Sequence, residues 1–143
     1  MEAEMKPDFV KGADAIGMFC RLHMNTKRDL PIRPSEMGVL IYTQKQSESV
    51  TPLMISQFFN IAKPSVSAMV KALTKNGYLT QSPSETDKRS YTINITDKGK
   101  MLVETTFVEY FKSVELLKEK MGEAKFNQFI ELVETANKIL EEV

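Results

Sequence analysis

The stretch IAKPSVSAMVKALTKNGYLTQSPSETDKRSYTINITDKGK, Ile61 to Lys100, decides the fold. Val66, Val70 and Leu73 recur at three and four residues, with Met69 beside them, which predicts an amphipathic helix. Gly77 follows Lys75-Asn76 and is placed to stop that helix as a left-handed cap. Tyr78 to Ser82 reads as a strand, and Tyr91, Ile93 and Ile95 alternate with Thr92, Asn94 and Thr96 as a half-buried strand does. Between them lies the polar, charged loop Glu85 to Ser90. A loop held out on a hairpin is a poor hydrophobic anchor and a good finger. An isolated hairpin is marginal in water, so a third short strand is expected near Val50.

Outward from this stretch the chain is helical. On the N-terminal side, Phe9, Ala13, Ile16, Cys20 and His23/Met24 predict a helix over about Asp8 to Thr26. Two prolines in DLPIRPSE break it, and Ser35 is the expected cap of a second helix with Met37, Leu40 and Ile41 on one face. Thr51-Pro52 reads as N-cap and first residue of a short third helix. On the C-terminal side, Thr96-Asp97 is expected to cap one long helix from Lys98 to Met121, the Asp complementing the helix dipole. Gly122 breaks it, and a last helix runs from Glu123 to Glu142 with Phe126, Phe129/Ile130, Val133 and Leu140 in register. The expected class is mainly α with a small antiparallel β wing: a winged helix-turn-helix over 31–99 and a helical region formed by 1–30 and 100–143.

At 143 residues the chain is one domain or two small, closely packed parts. No apolar run approaches the roughly 18 residues of a membrane span, and the acidic, mixed start MEAEMKPDFVKG is unlike a secretory leader, so a cytoplasmic location is expected. One Cys and one His exclude an intrachain disulfide and the usual four-ligand zinc sites, so neither metal nor cofactor is expected. Net charge is zero but uneven. Residues 60–100 hold seven basic and three acidic side chains, a net of +4, whereas 101–143 hold five basic and nine acidic, a net of −4. A basic middle on a neutral chain suits a nucleic-acid-facing module.

The ordered set over Ile61–Lys100 resembles the MarR family of transcriptional regulators. The residues that carry the resemblance are the helix after Ile61, the Leu73-x-x-x-Gly77 turn, Asp87-x-Arg89 in the loop, and Thr96-x-x-Gly99 at the end of the strand. The resemblance implies a homodimer whose first and last helices interleave and whose two winged domains grip a pseudo-palindromic operator in double-stranded DNA; a repressor is expected, with an activator, which would bind DNA the same way, as the alternative. The terminal helices agree: Phe9, Phe126, Phe129, Ile130, Val133 and Leu140 offer more apolar surface than a thin chain buries alone, and form the expected dimer interface. One departure is Ala62, where relatives often carry Ser or Thr; Ala caps poorly, and Pro64 in the first turn offsets this by fixing the backbone.

With Val66, Val70 and Leu73 turned inward, Lys63, Pro64, Ser65, Ser67, Ala68 and Lys71 face outward. Short hydroxyl and methyl groups let a helix sit deep in the major groove, where Ser65 and Ser67 meet base edges or phosphates and Ala68 a thymine methyl. Lys71 and Lys75 are expected on phosphates. Arg89 is expected in the adjacent minor groove, braced by Asp87, with Lys88 on a phosphate. The plain alternatives are a solvated helix face and a surface ion pair.

The resemblance also implies a small, often phenolic or anionic, ligand between the two regions. Ile16, Cys20 and His23 on the first helix, with Met37, Leu40 and Ile41 on the second, are its candidate contacts, and core packing is the competing reading of each. Some relatives sense peroxides through one first-helix cysteine, so a thiol-based sensor acting through Cys20 is an alternative, although Cys20 lies on the apolar face, where a buried thiol is inert. A winged helix used for protein contact is a second alternative. An enzyme is not expected: there is no glycine-rich phosphate loop, and the one His has only Cys20 near it as a nucleophile.

Overall fold

The computed structural model describes residues 5–85 and 90–143. Seven helices and two strands run in the order α1 (Pro7–Met24), α2 (Pro34–Lys45), α3 (Pro52–Phe59), α4 (Lys63–Lys75), β1 (Leu79–Pro83), β2 (Tyr91–Ile95), α5 (Asp97–Tyr110), α6 (Lys112–Met121) and α7 (Glu123–Glu141). They fall into two compact units, Asp29–Tyr110 and the pair of segments Met1–Arg28 and Phe111–Val143. Each is described by itself.

The middle unit has the core. Met37, Leu40, Val50, Ile55, Val66, Val70, Leu73 and Ile93 are fully buried, together with Val39 and Leu79. Helix α2 runs through this core and is covered on nearly every side from Glu36 to Thr43, so its sequence has little amphipathic pattern. It starts two residues earlier than expected. Arg33 is the N-cap and Pro34 the first residue, because Pro fixes φ for the first turn and lacks only an N–H the turn leaves unpaired. Glu36, not Ser35, closes the end: its Oε1 accepts the Arg33 N–H at 3.1 Å. At α3 the Thr51 hydroxyl accepts the Met54 N–H at 3.3 Å, the expected cap.

The hairpin pairs antiparallel, from Leu79↔Ile95 at its root to Pro83↔Tyr91. Ser84 N–H donates to the Ser90 carbonyl at 3.1 Å beyond the last pair. The third strand near Val50 is a single bridge, with Val50 and Ile93 exchanging both backbone bonds at 3.2 and 2.7 Å.

The single helix expected over Lys98–Met121 is two. Helix α5 ends at Tyr110, and Phe111, at φ −91° and ψ 10°, caps α6. Upstream of the break lies Thr105-Thr106-Phe107-Val108, a run of poor helix formers. Both Thr hydroxyls donate to carbonyls one turn back, Thr105 to Met101 and Thr106 to Leu102, a pattern that bends helices. Consequently α5 belongs to the middle unit, where Val103 is buried, and only the chain beyond Tyr110 joins the other unit.

In that second unit, α6 packs on α7, and the Phe19 ring of α1 meets Phe129 of α7 edge-on at 5.5 Å. Helices α1, α6 and α7 contain no buried residue.

Candidate nucleic-acid interface

Two helices and a tight turn place the candidate reading surface. Helix α3 ends at Asn60, whose φ of +52° and ψ of 51° put it in the left-handed region that Asn tolerates better than most residues. Ser56 locks the reversal from both sides: its carbonyl accepts the Ile61 N–H at 3.1 Å and its hydroxyl donates to the Ile61 carbonyl at 2.7 Å. Two residues later α4 begins. Ala62 is its N-cap and supplies no side-chain bond; Pro64 sits in the first turn, and the Ala62 carbonyl accepts the Ser65 and Val66 N–H groups at 3.0 and 3.2 Å.

The faces of α4 are sharply divided. Val66, Val70 and Leu73 are fully buried. Lys63, Pro64, Ser65, Ser67, Ala68, Lys71 and Lys75 are all exposed. The exposed row is small and hydroxylic near the helix start and cationic along its length, and it carries no acid. Among the described residues, Lys63, Lys71 and Lys75 have no hydrogen-bond or ion-pair partner. Such a surface carries three uncompensated positive charges and no bulk that would hold it away from a groove.

The C-terminal end of α4 is built as firmly. Gly77, at φ +83°, follows the cap residue Asn76. Gly77 N–H donates to the Thr74 carbonyl at 3.1 Å and Tyr78 N–H to the Leu73 carbonyl at 2.9 Å, the paired bonds of a Schellman motif. The chain then enters β1 directly, so the hairpin is rooted on the end of α4. Asp87, Lys88 and Arg89, expected at the tip, lie outside the described residues.

Sequence reasoning missed the residues that hold this frame. Ser56 and Asn60 set the turn before α4; Thr74, Gln81 and Lys98 set the joint after it, together with Thr96, which was expected only as the cap of the next helix. Asn60 had a signal, as Asn directly after a helix is a common left-handed residue. The side-chain bonds between Gln81 and Thr74 had none, because they join separate elements.

The six candidate ligand contacts fall in different surroundings. Met37 and Leu40 are fully buried in the core of the middle unit, and Ile41 packs against that core. Ile16 and Cys20 are exposed on α1; Cys20 was expected on a buried face, but α1 has no buried residue. His23 is half-buried, its ring stacked on Phe19 at 5.9 Å and its Nδ1 2.9 Å from Ser113 Oγ, which also accepts from Arg28 at 3.2 Å. A polar depression in the middle unit is lined by Thr43, Gln44, Ser49, Asn94 and Lys100 among others, and by none of the six. Among the described residues no cluster of three or more His, Cys, Asp or Glu side chains is arranged to hold a metal, and no helix is long and apolar enough to cross a membrane.

The family model of the winged helix DNA-binding domain matches residues 35–99, which span α2 to the start of α5. No curated protein matches the chain. Several solved structures share its fold. A MarR protein from Peptoclostridium difficile superposes with a TM-score of 0.82 at 18% identity, covering 99% of this chain and 94% of that one. A MarR/EmrR family transcriptional regulator from Acinetobacter sp. ADP1 gives 0.80 at 23% identity, covering 97% and 100%. A mutant MarR from E. coli complexed with operator DNA gives 0.79 at 14% identity, covering 94% and 99%. The matching domain is a DNA-binding module.

Proposed function

We propose that this chain, a MarR-type winged-helix regulator by its fold and its DNA-binding domain, acts in the cytoplasm as a homodimeric repressor on a pseudo-palindromic operator. The observation that carries the reading is the divided face of α4: three fully buried apolar residues beneath a row of small hydroxyl and cationic side chains with no acid. In this reading the first turns of α4 enter the major groove. Ser65 and Ser67 meet base edges or phosphates, Ala68 packs on a thymine methyl, and Lys63, Lys71 and Lys75 hold phosphates. Arg89 enters the neighbouring minor groove with Asp87 bracing it, and Lys88 adds a phosphate contact. The dimer is supported by α1, α6 and α7, none of which has a fully buried residue within one chain.

Control by a small phenolic or anionic ligand completes the reading. It is supported by the resemblance; of the six expected contacts, Met37 and Leu40 are fully buried in the core, while Ile16 and Cys20 are exposed on α1.

The test is fluorescence anisotropy on the duplex upstream of the protein's own gene against a scrambled duplex, over a range of salt. Tight binding that prefers the native duplex and falls steeply with salt is expected, because phosphate contacts release counterions. No binding at low salt from a folded protein would overturn the reading and favour a winged helix used for protein contact. Titrating phenols and small carboxylates into the complex tests the ligand: release is expected, and a complex indifferent to them removes that part.

A further inference from the structure

We infer that Lys98 is a positioning residue for DNA binding: its ammonium ties the end of α4 to the root of the wing instead of meeting a phosphate. This rests on the reading of α4 as the recognition helix. By charge alone Lys98 is one of the seven basic residues that make the middle of the chain +4. Its surroundings assign it differently. Lys98 Nζ donates to the Asn76 carbonyl at 2.7 Å and lies 4.8 Å from the centre of the Tyr78 ring. Asn76 caps α4, so its carbonyl is among those at a helix end that lack a partner within the helix. A cation there also complements the negative end of the helix dipole. Gly77 is required there by its φ of +83°; a Cβ on it would make only ordinary contact with the Lys98 Cδ at 3.6 Å.

Three further bonds converge on the same joint. The Thr96 hydroxyl donates to the Gly77 carbonyl at 2.7 Å and accepts the Gly99 N–H at 3.0 Å. From the hairpin side, Gln81 Nε2 donates to the Thr74 hydroxyl at 3.2 Å. Together they fix the direction in which the hairpin leaves α4, and so where the wing reaches when α4 is seated.

Engagement, not distance, separates the two roles. Lys63, Lys71 and Lys75 on α4 have no partner among the described residues and are free to meet phosphates. The Lys98 ammonium is already engaged.

The salt dependence of binding distinguishes a latch from a phosphate contact. We would measure anisotropy for the wild type, Lys98→Met and Lys98→Arg on one duplex over a range of salt, with Lys71→Met for comparison. Amide hydrogen exchange of the free proteins would be followed across residues 73–78. Lys98→Met is expected to bind about fivefold more weakly, the scale of one exposed charge-assisted hydrogen bond. Its slope of log affinity against log salt should equal that of the wild type, and the Gly77 and Tyr78 amides should exchange faster. Lys98→Arg should restore both, because Arg can donate to the same carbonyl and stack on the same ring. Lys71→Met should lower the slope by about 0.9, one counterion's worth. A Lys98→Met slope lowered by that amount, or an unchanged affinity, overturns the inference. If the wild type binds no duplex, the DNA-binding reading falls on its own, and the exchange data still decide the latch: unchanged protection at Gly77 and Tyr78 overturns it.

Discussion

Gly99 shows how one residue fixes the geometry of a domain. A Cβ there would run into the Tyr78 carbonyl and the Ile95 side chain, so only Gly lets α5 start this close to the root of the hairpin. Gly99→Ala is therefore expected to lower stability by about 1–3 kcal/mol, the usual range for forcing an extra carbon into a packed site. Chemical denaturation followed by circular dichroism measures it, and an unchanged midpoint would mean the backbone can yield. The Thr-x-x-Gly spacing was legible in the sequence; its cause, a carbonyl from nineteen residues away in the case of Thr96 and Gly77, was not. Arg89 is the opposite case, legible only through its motif. Arg89→Ala should weaken DNA binding by about 1–3 kcal/mol while leaving the fold and the oligomeric state unchanged, the range for losing a groove-reading side chain. Anisotropy beside sedimentation checks both, and full affinity would remove the wing from the interface.

Among the elements, α4 was the most legible. Its apolar residues recur at helical spacing against one core, so Val66, Val70 and Leu73 could be read as buried, and all three are. Helix α2 was harder because it is buried nearly all round and periodicity marks only helices with a wet side. The break at Phe111 was illegible for another reason. No Gly or Pro marks it, and it falls where the chain passes from one unit to the other. The candidate site divides in the same way: the outward row of α4 followed from the inward one, but the side chains that brace its two ends came only with the structure. The exposed row makes its own prediction. Ser65→Glu puts a negative charge on the face proposed to meet the duplex, without touching the core. Like charges brought together at an interface cost several kcal/mol, so affinity should fall by about a hundredfold or more. Retained binding by a normally folded variant would mean that α4 presents a different face.

The two units of the molecule solve the problem of burial differently. Asp29–Tyr110 closes a core around ten fully buried side chains. The unit of α1, α6 and α7 closes none: Phe9, Ile16 and Leu22 on α1 and Leu132, Ile139 and Leu140 on α7 are each more than half exposed. Scattered exposed apolar residues are ordinary, but three helices without one buried residue are not a stable arrangement in water. Burying a leucine side chain contributes about 1.5–3 kcal/mol, so a second copy laid against these helices would supply what one chain lacks. A two-fold pair would also present two copies of α4 to a site of matching symmetry, with half-sites about one helical turn of DNA apart or a multiple of it. Leu140, 70% exposed, is a direct probe because its replacement disturbs no core within the chain. In sedimentation velocity the wild type should run at twice the chain mass of 16.3 kDa, and Leu140→Asp, which would bury a charge in an apolar interface, should run as a monomer. The same variant should lose the affinity that comes from holding two half-sites at once, while each isolated winged domain keeps its weaker contact. A Leu140→Asp protein that remains dimeric would move the interface off the end of α7 and leave Phe126, Phe129, Ile130 and Val133, nearer its start, to be tested in the same way.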